Sequence, residues 1–269
     1  MASLAHRSAK EFFLIDVPPS YDGESLSYVE RQLHDLVERL CTLTGCSFDQ
    51  DRLREVVRLS NQAREYYQEV RLLRRAEPAP LRGSSQLNQL ALIATAFGTP
   101  DAVNFYRALR DYTQDLVLRG TGEQEHQRYR LYWMHLKPYF RTGLVSWLED
   151  ELGAVIVFEE GSNVWWEPLD ESRPLRAIAD KILSVYYNGP IERRLQTTLN
   201  CVRQFSVQGV IQFHHWGCRQ STGALRVIRD ALRREGVPFL QMDGDCIDET
   251  NLQMGPLRTR VQGFLEMLG

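Results

Sequence analysis

Lysine is nearly missing from this chain. Lys10, Lys137 and Lys181 are the whole set, so the 32 basic residues are almost all arginine. With 35 acidic residues the formal charge is −3, which gives no global field for nucleic acid or an anionic membrane surface. Arginine suits planar, bidentate partners such as carboxylates and phosphates, although most of it here decorates solvated helix faces. No apolar run approaches the ~18 residues of a membrane span. The only apolar run of the opening stretch to Ser20 is Phe12–Val17, about half the length of a signal-peptide core, so no export signal is read and a cytoplasmic location is expected. Cysteine is scarce and odd in number: Cys41, Cys46, Cys201, Cys218 and Cys246, with no C-x-x-C pair. That supports neither a disulfide framework nor a zinc ribbon. There is no G-x-G-x-x-G and no G-K-[ST], so dinucleotide and P-loop readings lack their fingerprints. No internal repeat or low-complexity segment is evident.

What is present divides in two. Glu11–Ser20 reads as a short buried strand closed by prolines, with nothing before it in this sequence to pair with. Apolar residues at helical spacing then predict a helix over Ser25–Leu43, stopped at Gly45. A second runs from an Asp49 N-cap to Leu72, ended by Pro78 and Pro80. Two more are expected, over Ser84–Phe97 and Pro100–Leu118. Thr121–Gln127 is polar and unpatterned, hence a linker. Beyond it, short apolar runs alternate with amphipathic stretches. Strands are predicted over Arg130–Leu136, Ala154–Phe158, Gly209–Phe213 and Pro238–Met242. Helices are predicted over Tyr139–Leu152, Pro174–Tyr187, Glu192–Phe205, Thr222–Arg234 and Pro256–Leu268. This alternation, with nearly continuous apolar strands, predicts an α/β fold: a helical N-terminal segment, then a parallel four-stranded sheet with helices on both faces.

Ligands of open α/β sheets sit outside the carboxyl ends of the strands. Four segments follow those ends: Lys137-Pro-Tyr139; Glu159–Asn163 leading to Trp165 and Trp166; His214-His-Trp-Gly-Cys-Arg-Gln220; and Asp243–Asp248. The third is the densest. Cys218 stands where the next helix begins, beside Arg219, a setting that favours a thiolate able to bind metal or act as a nucleophile. A Cys–His nucleophilic pair lacks an orienting carboxylate, and a zinc site lacks a third and fourth ligand. The bland alternative packs His214 and Trp216 under the turn, with Cys218 filling space. Trp165 could line a substrate cavity, or one of the tryptophan pair is buried while the other caps the surface. Lys137 and Arg219 could meet a phosphate or stay solvated. Neighbouring Asp245 and Asp248 disfavour a Cys246 thiolate, so that residue reads as structural. Arg258 and Arg260 read as partners of those aspartates, and Cys201 as core.

Several segments in order resemble one family. Gly209-Val-Ile-Gln-Phe-His-His-Trp-Gly-Cys-Arg-Gln-Ser221 resembles the segment of 2-hydroxyacyl-CoA dehydratase and benzoyl-CoA reductase subunits that carries a cluster cysteine. Val237-Pro-Phe-Leu-Gln-Met-Asp-Gly-Asp245 resembles the family's strand preceding its Gly-Asp pair, and Leu257–Glu266 resembles its closing helix. Leu43-Thr-Gly45, Arg58–Arg64 and Pro174–Ala179 resemble its helical region and a later helix start. The resemblance implies Rossmann-like domains joined by helices. On it, residues 1–20 would be the last strand of an N-terminal α/β domain, 21–127 the helical linker region, and 128–269 the C-terminal Rossmann-like domain. It also implies an oxygen-sensitive iron–sulfur enzyme subunit of anaerobic metabolism, with a homologous partner subunit and a separate ATP-dependent iron–sulfur activator delivering low-potential electrons. The dehydratases of the family remove water from a 2-hydroxyacyl-CoA through a ketyl radical, and the reductases pass electrons into an aromatic ring. Cys218 carries over as one ligand of a 4Fe–4S cluster. Such a cluster takes about four ligands, so the others would lie outside this chain. Lys137, Trp165, His215, Trp216 and Arg219 are the candidate residues for an acyl-CoA substrate. The alternative is a non-catalytic scaffold or CoA-binding partner without a cluster.

Overall fold

The computed structural model describes residue 7, residues 11–140 and residues 142–269; Ser221 is described in its backbone only. The first nine residues other than Arg7, together with Lys10, lie outside that range, and so does Arg141 within the expected Tyr139–Leu152 helix.

Helix α1 (Gly23–Thr44) starts where the Asp22 carboxylate accepts the Ser25 N–H, and ends at Gly45, whose φ of 70° is left-handed. Helix α2 (Gln50–Leu73) is capped by Asp49 as expected, its side chain accepting from Arg52 N. The expected Ser84–Phe97 helix is instead two pieces, α3 (Gly83–Gln86) and α4 (Gln89–Thr95). Between them the Asn88 amide donates to Ser84 O at 3.1 Å, taking a carbonyl that a continuous helix would use. Helix α5 (Pro100–Leu118) has Thr99 as N-cap and proline in its first turn.

The sheet has four parallel strands, β1 (Tyr129–His135), β2 (Ala154–Glu159), β3 (Gly209–His215) and β4 (Phe239–Gly244), in the order β2-β1-β3-β4. Burial on both faces explains why the strands read as continuous apolar runs. Leu131, Trp133, Ile156, Ile211, Phe213, Leu240 and Met242 face one core, shared with α6 (Leu144–Asp150) and α11 (Met254–Glu266). Tyr132, Met134, Val155, Val157 and Val210 face the other, covered by α8 (Ile191–Gln204) and α10 (Leu225–Arg234). Trp133 is fully buried, and its one polar atom is satisfied by Leu136 O at 2.8 Å.

The remaining helices are α7 (Pro174–Ser184) and α9 (Arg219–Gly223). The helical segment does not pack by itself. Val57, Ala63 and Tyr67 of α2 and Ala102, Val103 and Tyr106 of α5 share one cluster with Val164, Trp166, Leu169 and Ala177. Val29 and Leu33 of α1 pack on Ala179 and Leu183 of α7.

Four further expectations need correction. Residues 11–20 form no strand: Ile15 and Val17 lean on the α1–α7 pair while Phe12 and Leu14 are exposed, and a strand needs a paired neighbour to exist. Helix α6 begins only at Leu144, because Gly143 turns left-handed (φ 63°) and Tyr139 N donates instead to Cys246 O at 2.8 Å. Helix α7 stops at Ser184, where Val185 turns extended and sends Tyr186 and Tyr187 inward. The Thr222–Arg234 helix is the two pieces α9 and α10, broken at Gly223–Ala224.

Candidate functional site at the strand ends

The chain leaves β1 for β2 on one side and reaches β3 on the other. The order β2-β1-β3-β4 therefore puts a switch point between β1 and β3, where their carboxyl ends part and leave a crevice. Four loops meet around that crevice.

His135 closes β1 with a φ of 70°, a left-handed conformation at a strand end. Its Nε2 lies 3.6 Å from Cys218 Sγ. Burial drives its pKa down to about 4, with Glu160 opposing and Arg194 assisting. The Cys218 backbone is fixed on both sides: its N–H donates to His215 O at 3.0 Å, and its C=O accepts the Thr222 hydroxyl at 2.7 Å. Cys218 is the N-cap of α9, but that helix has five residues, so its peptide dipoles do not sum as they would in a long helix.

Under this crevice is a closed electrostatic unit. Glu160, just past β2, takes a bidentate pair from Arg194 of α8, both bonds 2.8 Å, with the side chains 1% and 3% exposed. The same guanidinium donates to Gln220 O at 3.4 Å, and the Gln220 amide donates to Tyr187 O at 3.3 Å. The β2 end is thereby tied to the turn that carries Cys218. Tyr186 donates its hydroxyl to Glu160 O, and Arg194 stacks over Tyr187. Next to it, Glu159 pairs with Arg74 from the end of α2, also buried.

On the β4 side, Asp245 Oδ1 accepts from Ile247 N at 2.8 Å and Asp248 N at 3.2 Å, and these backbone bonds hold its carboxyl below the usual range. Cys246 is buried; burial first, and Asp245 next, push its thiol up, with Cys218 adding to the effect. Its N–H donates to His215 Nδ1 at 3.3 Å. Gly244 sits where a Cβ would come within 2.8 Å of Leu252 and 3.3 Å of Phe213, so a larger residue there would have to push the Leu252 side chain aside.

Of the candidate residues, His215 and Cys218 are brought to the crevice, and the others are spread around it. Lys137 donates to Asn88 and is partly buried, which lowers its pKa. Trp165 is partly buried, donating to Lys181 O at 3.3 Å; its neighbour Trp166 is buried, as expected of one member of the pair. Trp165 borders a cavity of about 510 Å³ with Arg64, Arg71 and Arg193. Trp216 borders another, of about 360 Å³, with Asp243 and Arg260. Arg219 is exposed and lines a third, with Tyr187 and Arg194. Two readings are corrected. Trp216 does not pack under the turn but is 57% exposed, while His214 is buried. Arg258 and Arg260 make no ion pair with the aspartates among the described residues: Arg258 stacks over Trp147, and Arg260 donates to Gln241 O. Cys201 is core, as expected, with burial pushing its thiol up. Missed from the sequence were His135 and the Glu160–Arg194 pair. His135 is the last residue of its strand, and extending the strand-end rule one residue backwards would have found it. Nothing in the sequence matches Arg194 to Glu160, 34 residues away.

An α/β protein whose histidine and cysteine side chains gather at a switch-point crevice is what these strands and loops define. A family model described as 2-hydroxyglutaryl-CoA dehydratase, D-component, matches residues 1–268, and the chain belongs to that family. It is 25% identical over 264 residues to the (R)-phenyllactyl-CoA dehydratase alpha subunit of Clostridium sporogenes, covering 95% of this chain and 63% of that protein. It is 22% identical over 281 residues to the alpha subunit of the (R)-2-hydroxyglutaryl-CoA dehydratase of Acidaminococcus fermentans, covering 98% and 56%. It is 23% identical over 290 residues to a benzoyl-CoA reductase subunit of Thauera aromatica, covering 98% and 66%. The chain thus spans roughly three fifths of the length of these relatives. No helix among the described residues is long and apolar enough to cross a membrane.

Proposed function

We propose that this chain is part of an iron–sulfur 2-hydroxyacyl-CoA dehydratase or benzoyl-CoA reductase, working with a homologous subunit and an ATP-dependent iron–sulfur activator. In this reading Cys218 is one thiolate ligand of a 4Fe–4S cluster whose other ligands lie outside residues 1–269. The observation that carries it is the placement of Cys218 at the β1–β3 crevice, 3.6 Å from His135 Nε2. The relatives above are named for CoA thioesters of 2-hydroxy acids or of benzoate.

The donor set fits one corner of such a cluster. Cys218 is partly buried, backbone-fixed and faces the crevice; Cys41, Cys46 and Cys201 are elsewhere in the fold. When bound, a 4Fe–4S cluster supplies one-electron chemistry at a potential set by thiolate hydrogen bonding and burial. The chain's own contribution is to hold and tune. His135 offers a hydrogen bond to the sulfur, and such a bond to a ligand shifts the metal's properties. Arg194 clamps the Cys218 turn to Glu160 through Gln220, which keeps the sulfur from drifting. Trp165, Trp216, His215, Lys137 and Arg219 surround the approach and are the residues proposed to meet the acyl-CoA.

One departure favours a second reading. A single matched cysteine cannot hold a cluster alone, which leaves a scaffold or CoA-binding partner without its own cluster as the alternative. The test is iron and acid-labile sulfide content after anaerobic purification, with and without co-expressed neighbouring genes, and with Cys218→Ala as control. Iron that needs a partner chain and disappears in the variant is the expected result. No iron under any condition leaves the scaffold.

A further inference from the structure

We propose that His215, Asp245 and Cys246 form a mononuclear site for a borderline divalent transition metal such as Zn²⁺, Co²⁺ or Fe²⁺, separate from any ligand role of Cys218. The three residues come from the ends of β3 and β4. One donor atom from each, an imidazole nitrogen, a carboxylate oxygen and a thiol sulfur, lies within 4.8 Å of the other two. A mixed N/O/S set of this kind suits a tetrahedral ion bound by three protein ligands. The bond lengths of such ions, about 2.0–2.3 Å, put any two ligands ~3.3–3.7 Å apart.

His215 Nδ1 stands 3.7 Å from Asp245 Oδ1. That is too long for a direct hydrogen bond and within the spacing of two ligands on one ion. The tautomer is set correctly as well. Because Nδ1 accepts the Cys246 N–H at 3.3 Å, it presents a lone pair, not a proton, toward Asp245 and Cys246. This bond is long, and an ion would replace it. The carboxylate is oriented independently: its Oδ1 accepts two backbone N–H groups, from Ile247 and Asp248. Hydrogen-bonded support of a ligating carboxylate is the usual companion of a metal site. Exposure grades across the set. Cys246 is 5% exposed, while the side chains of His215 and Asp245 are 28% and 23% exposed. The sulfur is therefore the floor of the site, and a fourth coordination position opens outward, the arrangement of three-ligand sites that accept water or a substrate oxygen. An ion here would also pin the loop after β4 to the loop after β3, next to the crevice.

The test uses the purified full chain, kept anaerobic and without cluster reconstitution, titrated with cobalt(II) chloride. Thiolate-to-cobalt charge-transfer absorption reports sulfur ligation, and intense ligand-field bands report a tetrahedral ion. One equivalent per chain is expected. Cys246→Ser should abolish the charge-transfer band, and His215→Gln and Asp245→Asn should each weaken cobalt affinity at least ~10-fold. Cys218→Ala should leave both bands in place. If Cys246→Ser fails to fold, the other two variants, checked by circular dichroism, decide the matter. The proposal is overturned if no cobalt is taken up. It is equally overturned if the bands survive in Asp245→Asn and His215→Gln, or vanish in Cys218→Ala, which would place the ion on the other cysteine. None of these readouts depends on whether a 4Fe–4S cluster forms with a partner.

Discussion

The two sides of the sheet's carboxyl edge treat polar residues in opposite ways. At the end of β2, Glu159 and Glu160 are buried and each is closed off by its own arginine, from α2 and α8 respectively. At the ends of β3 and β4, His215, Asp245 and Cys218 are partly exposed, and the bonds that fix them involve main-chain atoms of the neighbouring turns. Charge alone does not mark a working site. Glu160 sits at a strand end where a working carboxylate could stand, but the Arg194 fork occupies both of its oxygens. The side chains placed to take a ligand are those whose geometry is set by the main chain.

The comparison can be broken most sharply at Arg194. Arg194→Met leaves the Glu160 charge buried without its partner, and urea denaturation should register a loss of about 3–5 kcal/mol. Replacing both partners, Glu160→Leu with Arg194→Met, should recover most of it, since a buried pair offsets little more than its own desolvation. A single-variant loss below ~1 kcal/mol would mean that the pair is not closed to water.

A partly buried cation without a carboxylate gives the contrast a pH axis. Lys181 sits 3.6 Å above the Trp166 ring, makes no ion pair among the described residues, and burial lowers its pKa from 10.5 to about 8. Between these values the unfolded chain binds more protons than the folded one, so stability rises with pH across pH 8–10.5 and the penalty is complete below pH 8. With allowance for solvent screening the effect is on the order of 2 kcal/mol. Melting curves from pH 7 to 11 should show that slope in the parent and its loss in Lys181→Met.

Smaller effects belong to the helical segment and the rim. Asp49→Ala removes the α2 cap and should cost about 1 kcal/mol by denaturant titration. Trp216→Ala, at a residue 57% exposed, should change stability by no more than about 0.5 kcal/mol. A larger cost there would show that the rim is structural and would erase the distinction between the two sides.

The legible part of this molecule was whatever is encoded locally. The α2 and α5 boundaries follow from Asp49 and from Thr99-Pro100, because a cap is a contact between residues three apart. The four strands were readable because burial on both faces makes them continuously apolar. Where expectations failed, a distant partner intervened. Residues 11–20 alternate like a strand yet have no neighbour to pair with among the described residues. Helix α6 starts late because Tyr139 N is taken by Cys246 O, more than a hundred residues on.

The same division holds for the site. Residue order already placed His215 and Cys218 at one strand end and Asp245 and Cys246 at another, with both strands expected in one parallel sheet. The assembled fold alone puts β1 between β2 and β3, which brings His135 to Cys218 across 83 residues of chain, and pairs Arg194 with Glu160. Spacing along a chain fixes contacts within a turn of helix or a strand end. Contacts between elements depend on which strands become neighbours and which charges must be paired once water is excluded, and both are settled only when the sheet and its covering helices assemble.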